Sequence, residues 1–154
     1  MNHAAKQILL EIAEDKNEQG EHERFFALCL EYGAWSRSNV LPKISVPLSS
    51  GCHVHRKEIA ISDEQACLLD RLVCRIKQET LMRTPYQAFV ERCLNAHSDS
   101  EEDLLALERL KRSIRAEGLK PTKDELARQC GIFVERLRTL LIATLQSTEP
   151  RRLY

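Results

Sequence analysis

Segment 122–145, T-K-D-E-L-A-R-Q-C-G-I-F-V-E-R-L-R-T-L-L-I-A-T-L, limits most tightly what this chain can fold into. Its spacing predicts two short helices joined by a tight turn. Thr122 followed three residues later by Glu125 is a capping box, and Pro121 keeps the chain from entering the cap as helix. Leu126 and Ala127 open an apolar face, with Ala127 small enough for two helices to cross closely. Gly131 stands where a turn of this length needs positive φ. Ile132 follows, and Leu137, Leu140, Leu141 and Leu145 continue at helical spacing. The pattern is that of a helix-turn-helix; the plainer alternative is an ordinary αα-hairpin. The second helix opens with Phe133 and Val134, where a base-reading helix carries polar residues. That leaves Glu135, Arg136, Arg138 and Thr139 to face a groove, with Arg136 and Arg138 as the candidate base or phosphate contacts. Phe133 and Val134 would pack against a neighbouring helix or a protein partner.

A chain of 154 residues holds one full domain or two small lobes. Few aromatic residues and many Leu, Ala and Ile suit an all-α protein. No apolar run is long enough to span a membrane, and no basic-then-apolar start marks a signal peptide, so a cytoplasmic protein is expected. Six cysteines, Cys29, Cys52, Cys67, Cys74, Cys93 and Cys130, are then expected reduced, five of them as small buried hydrophobes of helices. Net charge is zero but unevenly spread. Residues 1–31 hold three basic and seven acidic side chains, whereas residues 109–154 hold eleven basic and five acidic ones. The half with the two-helix motif is the basic half, as a phosphate-facing surface requires.

Taken in order, the chain reads as an N-terminal helical segment (1–35), an irregular basic loop (36–61) and a helical domain (62–154). Helices are expected over 3–18, ended by Gly20, and over 21–35, ended near Trp35, whose indole is expected to plug the core. The loop carries two Pro, several Ser and the cations Arg37, Lys43, Arg56 and Lys57. Cys52, His53 and His55 within it are the weak candidates for a metal site, since a C-H-x-H run lacks a second ligand pair. Ser62 and Gln65 form a second capping box, opening a helix to about Glu79 with Ala66, Leu69, Leu72, Val73 and Ile76 as its buried stripe. Thr84-Pro85 opens a helix over 85–96, and a charged helix over 100–117 ends at Gly118 with Arg109, Lys111, Arg112 and Arg115 outward.

No catalytic constellation is visible: no phosphate-cradling glycine loop, no G-x-S-x-G and no H-E-x-x-H. No cofactor is expected, and a binding protein rather than an enzyme is the reading.

Three stretches, L-E-Y-G-A-W-S-R at 30–37, S-D-E-Q-A-C-L-L-D-R-L-V-C-R-I-K at 62–77 and the motif at 122–145, occur in an order that resembles phage antitermination proteins of the Q type. The matched positions are Gly33, Trp35, Asp63, Ala66, Leu69, Asp70, Val73 and Lys77, with Tyr32 standing where the family carries the first Trp of a W-G-x-W-like segment. Residues 97–120 look like an insertion relative to that pattern. The run R-A-E-G-L-K-P-T-K-D-E-L-A-R-Q-C-G-I also looks like part of a sigma-factor region-3 module. The resemblance implies a protein that binds DNA near a late promoter, loads onto bacterial RNA polymerase with its sigma factor, and carries it through terminators. Arg136, Arg138 and Thr139, with Glu135 beside them, would face the bases, and Lys120, Lys123 and Arg128 would face phosphates. Rival expectations are a conventional repressor or activator that self-associates on DNA, and a helical interaction module that docks through Phe133 and Val134 without DNA.

Overall fold

A computed structural model describes residues 1–40, 61–94 and 101–147, and among these there is no strand. The fold is all-α. Helix α1 spans His3–Glu14, α2 Glu23–Val40, α3 Asp63–Ile76, α4 Arg83–Phe89, α5 Glu101–Ala116 and α6 Lys123–Ser147. A 3-10 turn, Thr80–Met82, leads into α4, and a π-helical turn, Val90–Leu94, continues it.

Each boundary has a local cause. Asn2 caps α1 by accepting from the Ala5 N–H at 2.8 Å. The helix stops at Glu14, short of the expected 18, because Asn17 organises a turn: its side-chain oxygen accepts from the N–H groups of Gln19 and Glu21. The Ser62 capping box forms in both directions, and the Gln65 side chain also donates to the Ala5 carbonyl, fastening the start of α3 to α1. Pro85 sits inside the first turn of α4, where a backbone N–H has no helical partner to lose. At the end of α5, Gly118 takes φ of +80°. The Gly118 N–H reaches the Arg115 carbonyl and the Leu119 N–H reaches that of Ile114, which is a Schellman closure.

The expected turn at Gly131 is absent. Residues 123–147 are one unbroken helix, and Gly131 lies inside it without positive φ. The apolar positions explain why. Leu126, Cys130, Phe133, Leu137 and Leu140 recur at alternating steps of four and three, so one face stays in phase straight through Gly131. A turn there would rotate the second half out of register with the first. The N-terminal cap survives in half: Thr122 Oγ1 accepts from the Glu125 N–H at 3.2 Å, but the Glu125 carboxylate accepts from Arg128 and Gln129 instead of closing the box.

Helix α6 is the central post, packed against α1, α2, α3 and α4. Phe133 is fully buried, with its ring 4.5 Å from that of Phe89 and 5.6 Å from that of Tyr86. Leu137 and Leu141 are fully buried below it, as are Leu9 and Ala13 of α1, Phe25 of α2, Leu69 and Ile76 of α3, and Ile114 of α5. Fully burying side chains of this size is worth roughly 1.5–3 kcal/mol each, which far exceeds the cost of one glycine in a helix. Five described cysteines are free thiols; Cys29, Cys93 and Cys130 are buried, while Cys67 is exposed and Cys74 half-buried, against the expectation that all five sit inside. Burial pushes the Cys29 thiol well above its ordinary range, which leaves it neutral and packed rather than reactive.

The second helix outruns the expected end at Trp35 and continues to Val40. Trp35 packs against the edge of the core instead of plugging it. It is half-buried on the α2 flank, stacked on Tyr32 with centroids 6.1 Å apart, and its indole N–H donates to Asp63 at 2.8 Å. Tyr32 is buried and its hydroxyl donates to Asp70 at 2.6 Å, burial and that hydrogen bond together raising the phenol well above its ordinary range.

Candidate nucleic-acid interface

The residues expected to read DNA lie on one helix, but the fold uses them otherwise. Phe133 and Val134 are core residues against α4, so they offer no face to a protein partner. Arg136 clamps Glu79 through two parallel bonds, at 3.1 and 2.8 Å, which ties α6 to the turn before α4 and raises the guanidinium pKa. Arg138 donates to both oxygens of Glu135, at 2.9 and 2.5 Å, and to the Ala13 carbonyl at 3.1 Å, which fixes α6 to the end of α1. The same bonds lower the Glu135 carboxyl and raise Arg138. Thr139 turns its hydroxyl back onto the Arg136 carbonyl. Arg128 pairs with Glu125 at 2.7 Å.

Arg136 and Arg138 thus brace the bundle, while Glu135 and Thr139 bond within α6 itself. A base contact by Arg136 or Arg138 would first have to break a formed ion pair.

A different set of cations is left open. Arg112 and Arg115, one helical turn apart near the end of α5, are exposed, and so are Lys120 and Lys123 across the α5–α6 turn. None of the four makes an ion pair among the described residues. Only one carboxylate, Glu117, lies between Arg112 and Lys123. The Schellman closure at Gly118 holds the corner, so the backbone that presents these charges is fixed. Lys120 and Lys123 were legible as phosphate candidates from position alone. Arg112 and Arg115 were legible as outward cations, but nothing in their spacing told them apart from Arg136 and Arg138. The distinction needed the tertiary partners Glu79 and Ala13, far away in sequence.

The stretches 30–37 and 62–77 meet in the fold. Trp35 meets Asp63, Tyr32 meets Asp70, and Ala66, Leu69 and Val73 are buried beside them. Gly33 is buried where α2 crosses the π-helical turn: a Cβ there would lie 1.7 Å from the Cys93 carbonyl oxygen. Arg37, one turn on, donates to the Leu94 carbonyl at 2.7 Å and closes the same contact.

Among the described residues, no group of three or more His, Cys, Asp and Glu side chains could hold a metal. Cys52, His53 and His55 lie outside the described residues, as does most of the basic loop. No described helix is long and apolar enough to cross a membrane. No protein-family model matches the chain, and no curated protein or solved structure is significantly similar to it.

Proposed function

We propose that the chain is a nucleic-acid-binding regulator of transcription, of the antitermination kind its sequence resembles, working with DNA and bacterial RNA polymerase. The single observation that carries the nucleic-acid part is the cationic corner, Arg112, Arg115, Lys120 and Lys123, four exposed side chains with no ion pair among the described residues and only Glu117 among them. Phosphates are the ligands that such a fixed array of unpaired cations suits, and each neutralised phosphate releases counterions. Without a turn at Gly131 no free recognition helix is presented, so the corner would position DNA by its backbone rather than read base edges. The polymerase part rests on the resemblance alone, several of whose matched positions, Trp35, Asp63, Ala66, Leu69, Asp70 and Val73, lie on α2 and α3, which meet through Trp35–Asp63 and Tyr32–Asp70 hydrogen bonds.

Two measurements test this. Fluorescence anisotropy with duplex DNA should give binding that weakens steeply with salt. Arg115→Ala plus Lys120→Ala should weaken binding to every sequence alike and lower the salt slope by about two. Arg136→Ala should leave the slope alone while loosening the fold. A terminator read-through assay with polymerase holoenzyme then separates the two parts: salt-sensitive binding without read-through removes antitermination and keeps DNA binding. Absence of DNA binding removes both.

A further inference from the structure

Three buried cysteines come together inside the bundle, each from a different element: Cys29 of α2, Cys93 of the π-helical turn and Cys130 of α6. The register of the helices sets Cys93 opposite Cys130. Along α6 the partners run backwards through α4 and the turn before it: Arg136 holds Glu79, and Phe133 packs on Tyr86 and Phe89. Cys130 stands one turn before Phe133, and Cys93 one turn after Phe89, so the same antiparallel pairing places the two cysteines side by side. On the other flank α2 crosses at Gly33, whose Cβ would overlap the Cys93 carbonyl, and Cys29 lies one turn before Gly33.

The hydrogen bonding agrees with the register. The Cys93 thiol donates to the Cys130 sulfur, and that bond, with burial behind it, keeps the proton on Cys93 and raises its pKa. The same bond lowers Cys130, whose sulfur is thereby the readier thiolate of the two. Cys29 is held neutral, first by burial and then by the neighbouring Cys130. Among the described residues the three thiols form no metal site. Alanine or valine would fill the same space; two thiols in contact add one reaction, which is to join each other.

We propose that Cys93 and Cys130 are a peroxide-sensitive thiol pair that closes to an intrachain disulfide and pins α6 to the π-helical turn. The oxidant is a hydroperoxide, small enough to reach the pair through local opening of the turn. The Cys130 sulfur attacks one peroxide oxygen. The O–O bond breaks, hydroxide leaves with the Cys130 proton as water, and Cys130 becomes a sulfenic acid. The Cys93 sulfur then attacks the Cys130 sulfur. The S–S bond forms, the S–O bond breaks, and hydroxide leaves with the Cys93 proton as a second water. Two thiols are oxidised to one disulfide, and one peroxide is reduced to two waters. The product joins α6 to the turn that α2 already grips through Gly33 and Arg37, so oxidation ties three elements at one point.

Peptide mapping of the folded full chain after hydrogen peroxide tests this, with the remaining thiols alkylated before digestion. The expected product is a linked pair of peptides carrying Cys93 and Cys130, lighter than the two thiol forms by two hydrogens and separated by dithiothreitol. Cys93→Ala and Cys130→Ala should each abolish it, whereas Cys29→Ala should leave it. The wild-type map decides the matter even where a variant folds poorly. Oxidised wild type should melt about 5 °C or more above the reduced chain, because closing so long a loop removes entropy from the unfolded state, and dithiothreitol should reverse the shift. Oxidation confined to the exposed Cys67 overturns the proposal, as does a disulfide that uses Cys29. So does a Cys93–Cys130 bond that forms only in urea, where the register is lost, or one that lowers Tm, which would mean that the folded packing opposes it.

Discussion

Two glycines sit in the middle of helices, Gly33 in α2 and Gly131 in α6, and the fold treats them oppositely. At Gly33 the neighbouring backbone presses so close that any side chain would overlap the Cys93 carbonyl. At Gly131 a Cβ would meet nothing within 4 Å. The first glycine is there for what crosses it. The second is a helix residue of poor propensity that the surrounding leucines override. A glycine in a sequence therefore signals a turn, a close crossing or neither, and only its tertiary surroundings separate the three.

The largest expected effect follows from the first. Gly33→Ala puts a methyl group into backbone, which cannot swing aside as a flexible side chain would. A loss of about 3 kcal/mol is expected. Urea unfolding followed by far-UV circular dichroism measures it. A loss below about 1 kcal/mol would mean that α2 and the π-helical turn can separate cheaply, and the contrast between the two glycines would collapse.

A third glycine calibrates the pair. Gly118 takes positive φ at the end of α5, where alanine is strained, so Gly118→Ala should cost about 1–2 kcal/mol. Gly131→Ala should do the reverse and stabilise the chain by about 0.5–1 kcal/mol, since alanine is the better helix former and there is open space for its methyl. The sign at Gly131 decides between one helix and two. Destabilisation on the order of that at Gly118 would restore the turn and, with it, a helix-turn-helix.

The same contrast marks how far the sequence could be read. Caps and stops written in adjacent residues were legible: Ser62 with Gln65, and Gly118 after α5. The all-α class followed from few aromatic residues with many Leu, Ala and Ile, and from helical spacing such as that of Ala66, Leu69, Leu72, Val73 and Ile76. Where a local signal competed with a longer one, the local signal misled. Gly131 with Ile132 looked like a turn, although the apolar phase from Leu126 to Leu140 ran through it unbroken. The candidate site was least legible because charge pairing is tertiary. Arg136 and Arg138 are as basic as Arg112 and Arg115, yet Glu79 and the Ala13 carbonyl take the first two and leave the others open. Two side-chain oxygens unpaired among the described residues, Gln87 Oε1 and Glu91 Oε2, carry no mark in the sequence at all, since their burial depends on how the helices pack.

The smallest effect probes the charged side of the same half of α6. Its hydrogen bonds to Arg138 hold the Glu135 carboxyl below the ordinary carboxylate range. A carboxyl whose folded pKa is depressed contributes stability that is present above its unfolded pKa, about 4.3, and is lost as pH falls through the folded value. Glu135 is half exposed, with 52 % of its side chain open to solvent, so screening trims the contribution to about a few tenths of a kcal/mol. Glu135→Gln should thus lower the urea midpoint slightly at pH 7, by an amount that shrinks as pH falls through the folded pKa of the wild-type carboxyl. Arg138 also holds the Ala13 carbonyl, and that bond does not depend on Glu135 ionisation. A larger loss in Glu135→Gln, persisting at low pH, would mean that Glu135 positions Arg138 on α1 rather than merely balancing its charge. The second half of α6 would then be anchored by that carboxylate as firmly as α2 is anchored at Gly33.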